Sequence, residues 1–259
     1  MSGYILCQVK KAEKPFYIEN ISTNIYSIEE LCYYLYNNLY LVDSSLISNQ
    51  LCTWLEEELD LPKLAAKLKP FIGKEAGLEE ILYPVFKEIN YLAYEELRTL
   101  NGRIERRNSE SEEIREKQKG DALMENRMYV NAIRVYQKLL EKESKDVSGE
   151  MRERIFHNQG CAYSYLFQME KAVECFRRAY EGSRSRKALE TYLLAVGVTR
   201  TPAEYQSVVR RLGVEKEVLQ DIKEKLAKFS KKPEVSADLD NPDEILQKLT
   251  REYHRSTGS

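Results

Sequence analysis

The stretch Arg154–Tyr180 reads RIFHNQGCAYSYLFQMEKAVECFRRAY, with Gly160, then Ala172 twelve residues on, then Phe176 four after that. An earlier stretch, Arg115–Leu140, reads REKQKGDALMENRMYVNAIRVYQKLL and repeats the arrangement with Gly120, Ala132 and Tyr136. The two are imperfect copies whose glycines lie about forty residues apart. A small residue on each of two helices lets their backbones approach, and an aromatic ring fills the space beside them. Each copy therefore reads as a helical hairpin. One hairpin cannot bury its apolar face alone, so the copies must stack on each other, on neighbouring helices or on a partner. Such stacks present binding surfaces, not reaction chemistry.

The pattern resembles the tetratricopeptide repeat (TPR) family over residues 112–196. The second copy is the nearer match, with Phe156, Gly160, Tyr163, Ala172, Phe176 and Ala179 at signature positions and phenylalanine standing where tryptophan is usual. The first copy keeps Gly120, Tyr129, Ala132 and Tyr136 but has Glu116 where an aromatic is expected and Leu123 where the family has tyrosine. Lys119 and Gln159 stand where leucine is common, and no proline closes either copy. The family period is about 34 residues, so the spacing implies an insertion of about six, placed in the polar segment Lys142–Glu150. The resemblance implies a mainly α fold: a short solenoid of hairpins that binds protein or peptide along the first helix of each repeat. Counted from the glycines, the inward positions are Lys117, Asp121 and Met124 in the first copy. In the second they are Arg154, His157, Asn158, Cys161 and Tyr165. In the family such positions grip extended peptides, and Arg154, His157 and Asn158 supply suitable donors. The peptide-clamp residues of the family are only partly matched. The same face also reads as a solvated groove, or as one filled by the chain's own tail.

With 259 residues, 42% of them apolar and 32% charged, the chain has ample core for one large or two ordinary folded domains. A net charge of −2 gives no general attraction to nucleic acid or anionic membrane. The charge is uneven, however: acidic over residues 1–60, basic over Arg177–Lys232, and acidic again at the end. The apolar opening YILC is too short for a signal peptide, and no run reaches the roughly eighteen apolar residues of a membrane span. Five scattered cysteines without a CxxC pair read as free thiols of a cytoplasmic protein.

Three segments organise the chain: an N-terminal, mostly helical module over 1–108, a repeat domain with capping helices over 109–230, and a linker with a short helix over 231–259. Strands are expected at 4–9 and 16–22, paired across a turn at Ala12–Lys14. Ser27-Ile28-Glu29-Glu30 is a capping box. The helix it starts carries Ile28, Leu31, Leu35, Leu39 and Val42 on one stripe and Tyr33, Tyr36 and Tyr40 on another. A helix apolar on two sides packs on two sides, within its domain or against a partner. Further helices are expected over Asn49–Leu59, Pro62–Ile72, Leu78–Asn90 and Tyr91–Asn108, with Pro84 kinking or shortening the third. The charged RIERRNSESEE marks the domain junction, and Ser109 with Glu112 can cap the first repeat helix.

After the second copy, SRKALETYLLAVGV opens a third, degenerate hairpin, ended by Gly197 and Thr201-Pro202. Glu215–Phe229 forms a long helix that caps the stack with Val218, Leu219, Ile222 and Leu226 inward. Asn241-Pro242-Asp243-Glu244 starts a last helix whose strip of Ile245, Leu246 and Leu249 is enough to dock, on this chain or on another. Self-association of the chain is left open as well.

No enzyme signature is present: Gly73-Lys74 lacks the rest of a phosphate loop, and there is no GxGxxG or GxSxG. His157 and Cys161 share a helix face, but no acid orients the histidine, and two histidines with dispersed cysteines make no zinc set. No cofactor or metal is expected. The alternative function is DNA binding by residues 202–229, which resemble a helix-turn-helix with Gly213 at the turn. Lys216, Lys223, Lys225 and Lys228 would face phosphate there, against interleaved Glu215, Glu217, Asp221 and Glu224.

Overall fold

The computed structural model describes residues 10–74, 76–142, 148–229 and 241–257. The chain is mainly α and parts into two compact units, Met1–Ala122 and Leu123–Ser259. The parting falls within a helix of the first repeat copy, not at the charged segment RIERRNSESEE. That segment is itself largely helical, because its buried Ile104 anchors it.

The first unit opens with a small antiparallel hairpin, β1 (Phe16–Ile18) and β2 (Thr23–Ile25), pairing Tyr17 with Asn24. Residues 4–9 lie outside the described residues. The strand expected over 16–22 stops at Ile18, where Glu19–Ile21 make a 3-10 turn and Ser22 turns left-handed. Asn20 fixes that turn by donating to the Leu41 carbonyl at 2.8 Å. Five helices follow: α1 (Ile28–Asn37), α2 (Asn49–Thr53), α3 (Pro62–Leu68), α4 (Leu78–Glu88) and α5 (Tyr94–Ser109). Ser27 accepts from the Glu30 amide, and Glu30 reaches back to the amide of Tyr26. The stripe Ile28, Leu31, Leu35, Leu39 and Val42 is buried throughout. α2 continues as a π-helical turn over Trp54–Glu58, whose Trp54 packs on Phe16 and donates to the Lys14 carbonyl.

Pro84 neither ends nor delays α4. It sits inside a helix held by buried Leu78, Ile81, Leu82, Val85 and Phe86, with Glu80 capping the Gly77 amide at 2.8 Å. The tyrosine stripe of α1 divides. Tyr36 and Tyr40 lie under Arg103 and Arg107 of α5, while Tyr33 is 65% exposed. α6 (Glu112–Glu125) follows α5, and its cap is Ser111, which accepts from the Ile114 amide; Ser109 instead donates to the Arg106 carbonyl.

The second unit stacks α7 (Tyr129–Glu141), α8 (Gly149–Tyr165), α9 (Met169–Ser183), α10 (Arg186–Thr199), α11 (Pro202–Leu212) and α12 (Lys216–Phe229), with α13 (Pro242–Thr257) beside α7. One apolar cluster runs the length of the stack, from Tyr129 and Ile133 of α7 through Tyr163, Phe176, Leu193 and Val209 to Ile222 of α12. The turns before α7 and α9 share a geometry. Arg127 and Phe167 each turn left-handed, the amides of Met128 and Gln168 bond the carbonyls of Leu123 and Tyr163, and those of Ala132 and Ala172 open the next helix. Such a turn reverses the chain and satisfies carbonyls at the end of the preceding helix. Arg184 and Ser185 alone separate α9 from α10, whereas Lys142 to Ser148 separate α7 from α8, which is where the spacing put the insertion.

Gly160 is where α8 meets α9. A Cβ built there would stand 2.6 Å from the Phe176 ring, so the ring occupies the space a side chain would need. The third hairpin is present as α10 and α11, with Thr201 and Glu204 forming a full capping box and Pro202 in the first turn. Gly197 does not end α10. It lies within the helix, where a Cβ would stand 2.7 Å from Leu226 of α12. Leu193, Tyr205 and Val209 are buried at the same offsets, twelve and sixteen, that separate Gly160, Ala172 and Phe176. Gly213, at φ +61°, makes the turn into α12.

Candidate functional site

On α8, Arg154, Asn158, Cys161 and Tyr165 recur at helical spacing and so share a face. They run exposed, half-buried, half-buried, exposed. With Gly160 matched to Leu193, the corresponding residues of α10 are Lys187, Thr191, Leu194 and Val198, and they show the same sequence of exposures. Tyr165 is 62% and Val198 57% exposed in the full chain, α13 included. The two helices thus present a repeated strip whose end residues stay exposed. Arg154 and Lys187 stand toward the N-terminal ends of their helices, Tyr165 and Val198 toward the C-terminal ends.

The individual residues differ in how far they are committed. Arg154 is exposed and pairs with Glu150 at 2.6 Å, one turn back on the same helix. A solvent-exposed pair of this kind is weak and yields readily to a better partner. Tyr165 stacks face to face on Tyr129, with ring centroids 4.6 Å apart, leaving its other face to solvent. His157 is turned inward, its ring 5.6 Å from that of Phe176 and its Nε2 3.7 Å from the Cys161 sulfur. Burial, and then the charge of Lys187, push the imidazole pKa down, while burial pushes the Cys161 thiol up. Neutral imidazole beside protonated thiol is the reverse of the ion pair that nucleophilic cysteines use.

Lys117 and Asp121, in the first unit, pair with each other along α6. Met124, in the second, packs against the apolar cluster. Of the lysines in the helix-turn-helix reading, Lys225 bonds Glu190 of α10 at 2.7 Å, and Lys216, Lys223 and Lys228 are exposed. Among the described residues, no cluster of His, Cys, Asp or Glu could hold a metal ion, and no helix is long and apolar enough to cross a membrane. The α10 half of the strip escaped sequence reading because leucine stands at the glycine position. The offsets Leu193–Tyr205–Val209 were the available signal.

Comparison of the chain with protein-family models, with curated proteins and with solved structures finds no match.

Proposed function

We propose that the stacked hairpins form a non-enzymatic adaptor of the TPR kind, which holds an extended segment of another protein along α8 and α10. The observation that carries this reading is the repeated strip, basic at one end and apolar at the other, with Tyr165 and Val198 left open. The four cysteines among the described residues are free, which suits a reducing cytoplasm.

Capture of partners from the native host by the full chain tests the reading. A triple variant, Arg154→Glu with Asn158→Ala and Tyr165→Ala, is expected to lose a partner that the parent retains, with affinity down at least about tenfold for the loss of a charge pair and an aromatic contact. Retention of every partner by the triple variant rejects the strip. Deleting residues 240–259 is expected to leave capture unchanged, because α13 neighbours α7 and leaves Tyr165 and Val198 exposed. Stronger capture after deletion would place the tail over the strip.

A further inference from the structure

α13 (Pro242–Thr257) has 16 residues, and a helix of that length is marginal in water unless it packs an amphipathic face. Its first turn is well made. Pro242 opens it, Asp243 and Glu244 sit at the positive end of the helix dipole, and the Asn241 side-chain amide donates to Glu244 at 2.9 Å. At 3.6 residues per turn, Ile245, Leu246, Leu249 and Tyr253 share one face. α13 runs beside α7, yet that face is open to solvent: Leu246 is 63% and Leu249 57% exposed, with Ile245 and Tyr253 exposed beside them.

The charges along the edge of this face select what covers it. Lys248 and Glu252 stand one turn apart on one edge. Two copies of α13 packed antiparallel about Leu249 bring the Lys248 of each against the Glu252 of the other, so that one edge makes two ion pairs. The same arrangement sets Leu249 on its own mate and the Ile245 of each on the Tyr253 of the other, and it opposes the two helix dipoles. A parallel pair brings the edge of Lys248 and Glu252 against the opposite edge, of Asp243, Thr250 and His254, where Glu252 meets no lysine or arginine. The face is thus complementary to itself, as a two-fold contact requires.

We propose that α13 is a self-association helix, which pairs antiparallel with α13 of a second copy of this chain across Ile245, Leu246, Leu249 and Tyr253. One face of a helix about 24 Å long offers less than the roughly 800 Å² per partner of a standard interface, so the dimer is weak, with a Kd of about 10–100 μM. Pairing at α13 uses no residue of the strip on α8 and α10, so it stands apart from the adaptor reading.

Sedimentation equilibrium of the full chain, from about 1 to 300 μM, reads the association. A mass that climbs with concentration from one chain toward two is expected. Leu249→Glu sets two carboxylates together on the axis and is expected to weaken the dimer at least about tenfold. Its urea midpoint at monomeric concentration is expected to match the parent's, because the side chain is exposed. Lys248→Glu alone is expected to weaken the dimer about threefold to tenfold at low salt, and adding Glu252→Lys is expected to restore it, since the pairs re-form with their signs exchanged. Oxidation reads the orientation: Leu249→Cys is expected to crosslink to itself, and Tyr253→Cys only when mixed with Ile245→Cys. A chain monomeric throughout overturns the proposal, as do a dimer that survives Leu249→Glu and a Tyr253→Cys chain that crosslinks to itself. A host protein captured by the parent at monomeric concentration and lost with Leu249→Glu gives the face a different occupant, and overturns it too.

Discussion

The hairpins α8–α9 and α10–α11 do the same job with opposite distributions of bulk. In the first, glycine and alanine meet a phenylalanine; in the second, leucine and tyrosine meet a valine. Both hairpins share one apolar cluster, so the stack needs the summed volume at a crossing and tolerates its redistribution. The close approach moves accordingly. Gly160 of α8 receives Phe176 from its own hairpin, whereas Gly197 of α10 receives Leu226 from the next helix along.

The largest effect follows from where the bulk sits. Phe176→Ala removes a ring that is 5% exposed and is expected to cost about 3–5 kcal/mol. Val209→Ala, at the matching place in the third hairpin, is expected to cost about 2 kcal/mol, since only two methyl groups leave. Urea denaturation with an unchanged slope reads both. Equal losses would show that the two crossings do not correspond.

The glycines give the next contrast. Alanine is favoured over glycine within a helix by about 1 kcal/mol, so each substitution begins with that gain. At Gly160 the new methyl meets a buried ring that has nowhere to go, and overpacking of about 2–3 kcal/mol leaves a net cost of about 1–2 kcal/mol. At Gly197 it meets the far end of Leu226, a half-buried side chain free to rotate, and the net is expected within about 0.5 kcal/mol of zero. A Gly197→Ala chain destabilised as much as Gly160→Ala would mean that α12 is clamped as firmly as α9.

This contrast also explains what was legible. The second hairpin could be read because its small residues fall at the conspicuous positions, and glycine and alanine advertise a close crossing. The third was legible as a degenerate hairpin, through Thr201-Pro202, but its crossing residues were not matched to those of the second. Its crossing residues are large, and its one glycine serves a different neighbour. The strand expected over 16–22 stops at Ile18 for a comparable reason: the Asn20 bond to the Leu41 carbonyl, which fixes the turn after it, is a contact between residues distant in sequence. Lys117 and Asp121, counted as inward positions from Gly120, stand four apart on α6 and pair with each other, a spacing that the sequence shows directly.

The smallest effect separates the inward residue of the strip from its outward ones. His157 is held neutral by burial and by the charge of Lys187, facing Phe176 and Cys161, so its folded pKa lies below the ordinary 6.5. Above 6.5 both folded and unfolded chains carry it neutral, and it adds no pH dependence. As pH falls below 6.5 the unfolded chain takes up the proton first, so stability is lost until the folded pKa is passed. Glu174, held at about 2 by Arg177 and Arg178, loses its contribution only below its own ordinary 4.5. Urea midpoints between pH 7.5 and 5 are expected to fall in the parent and to fall less in His157→Gln, with the imidazole titration followed by NMR. A His157 resonance that titrates at or above 6.5 would turn this residue outward, into the strip with Arg154 and Tyr165. The second hairpin would then offer a binding charge that the third, with Glu190 at the matching position and bonded to Arg186 and Lys225, does not.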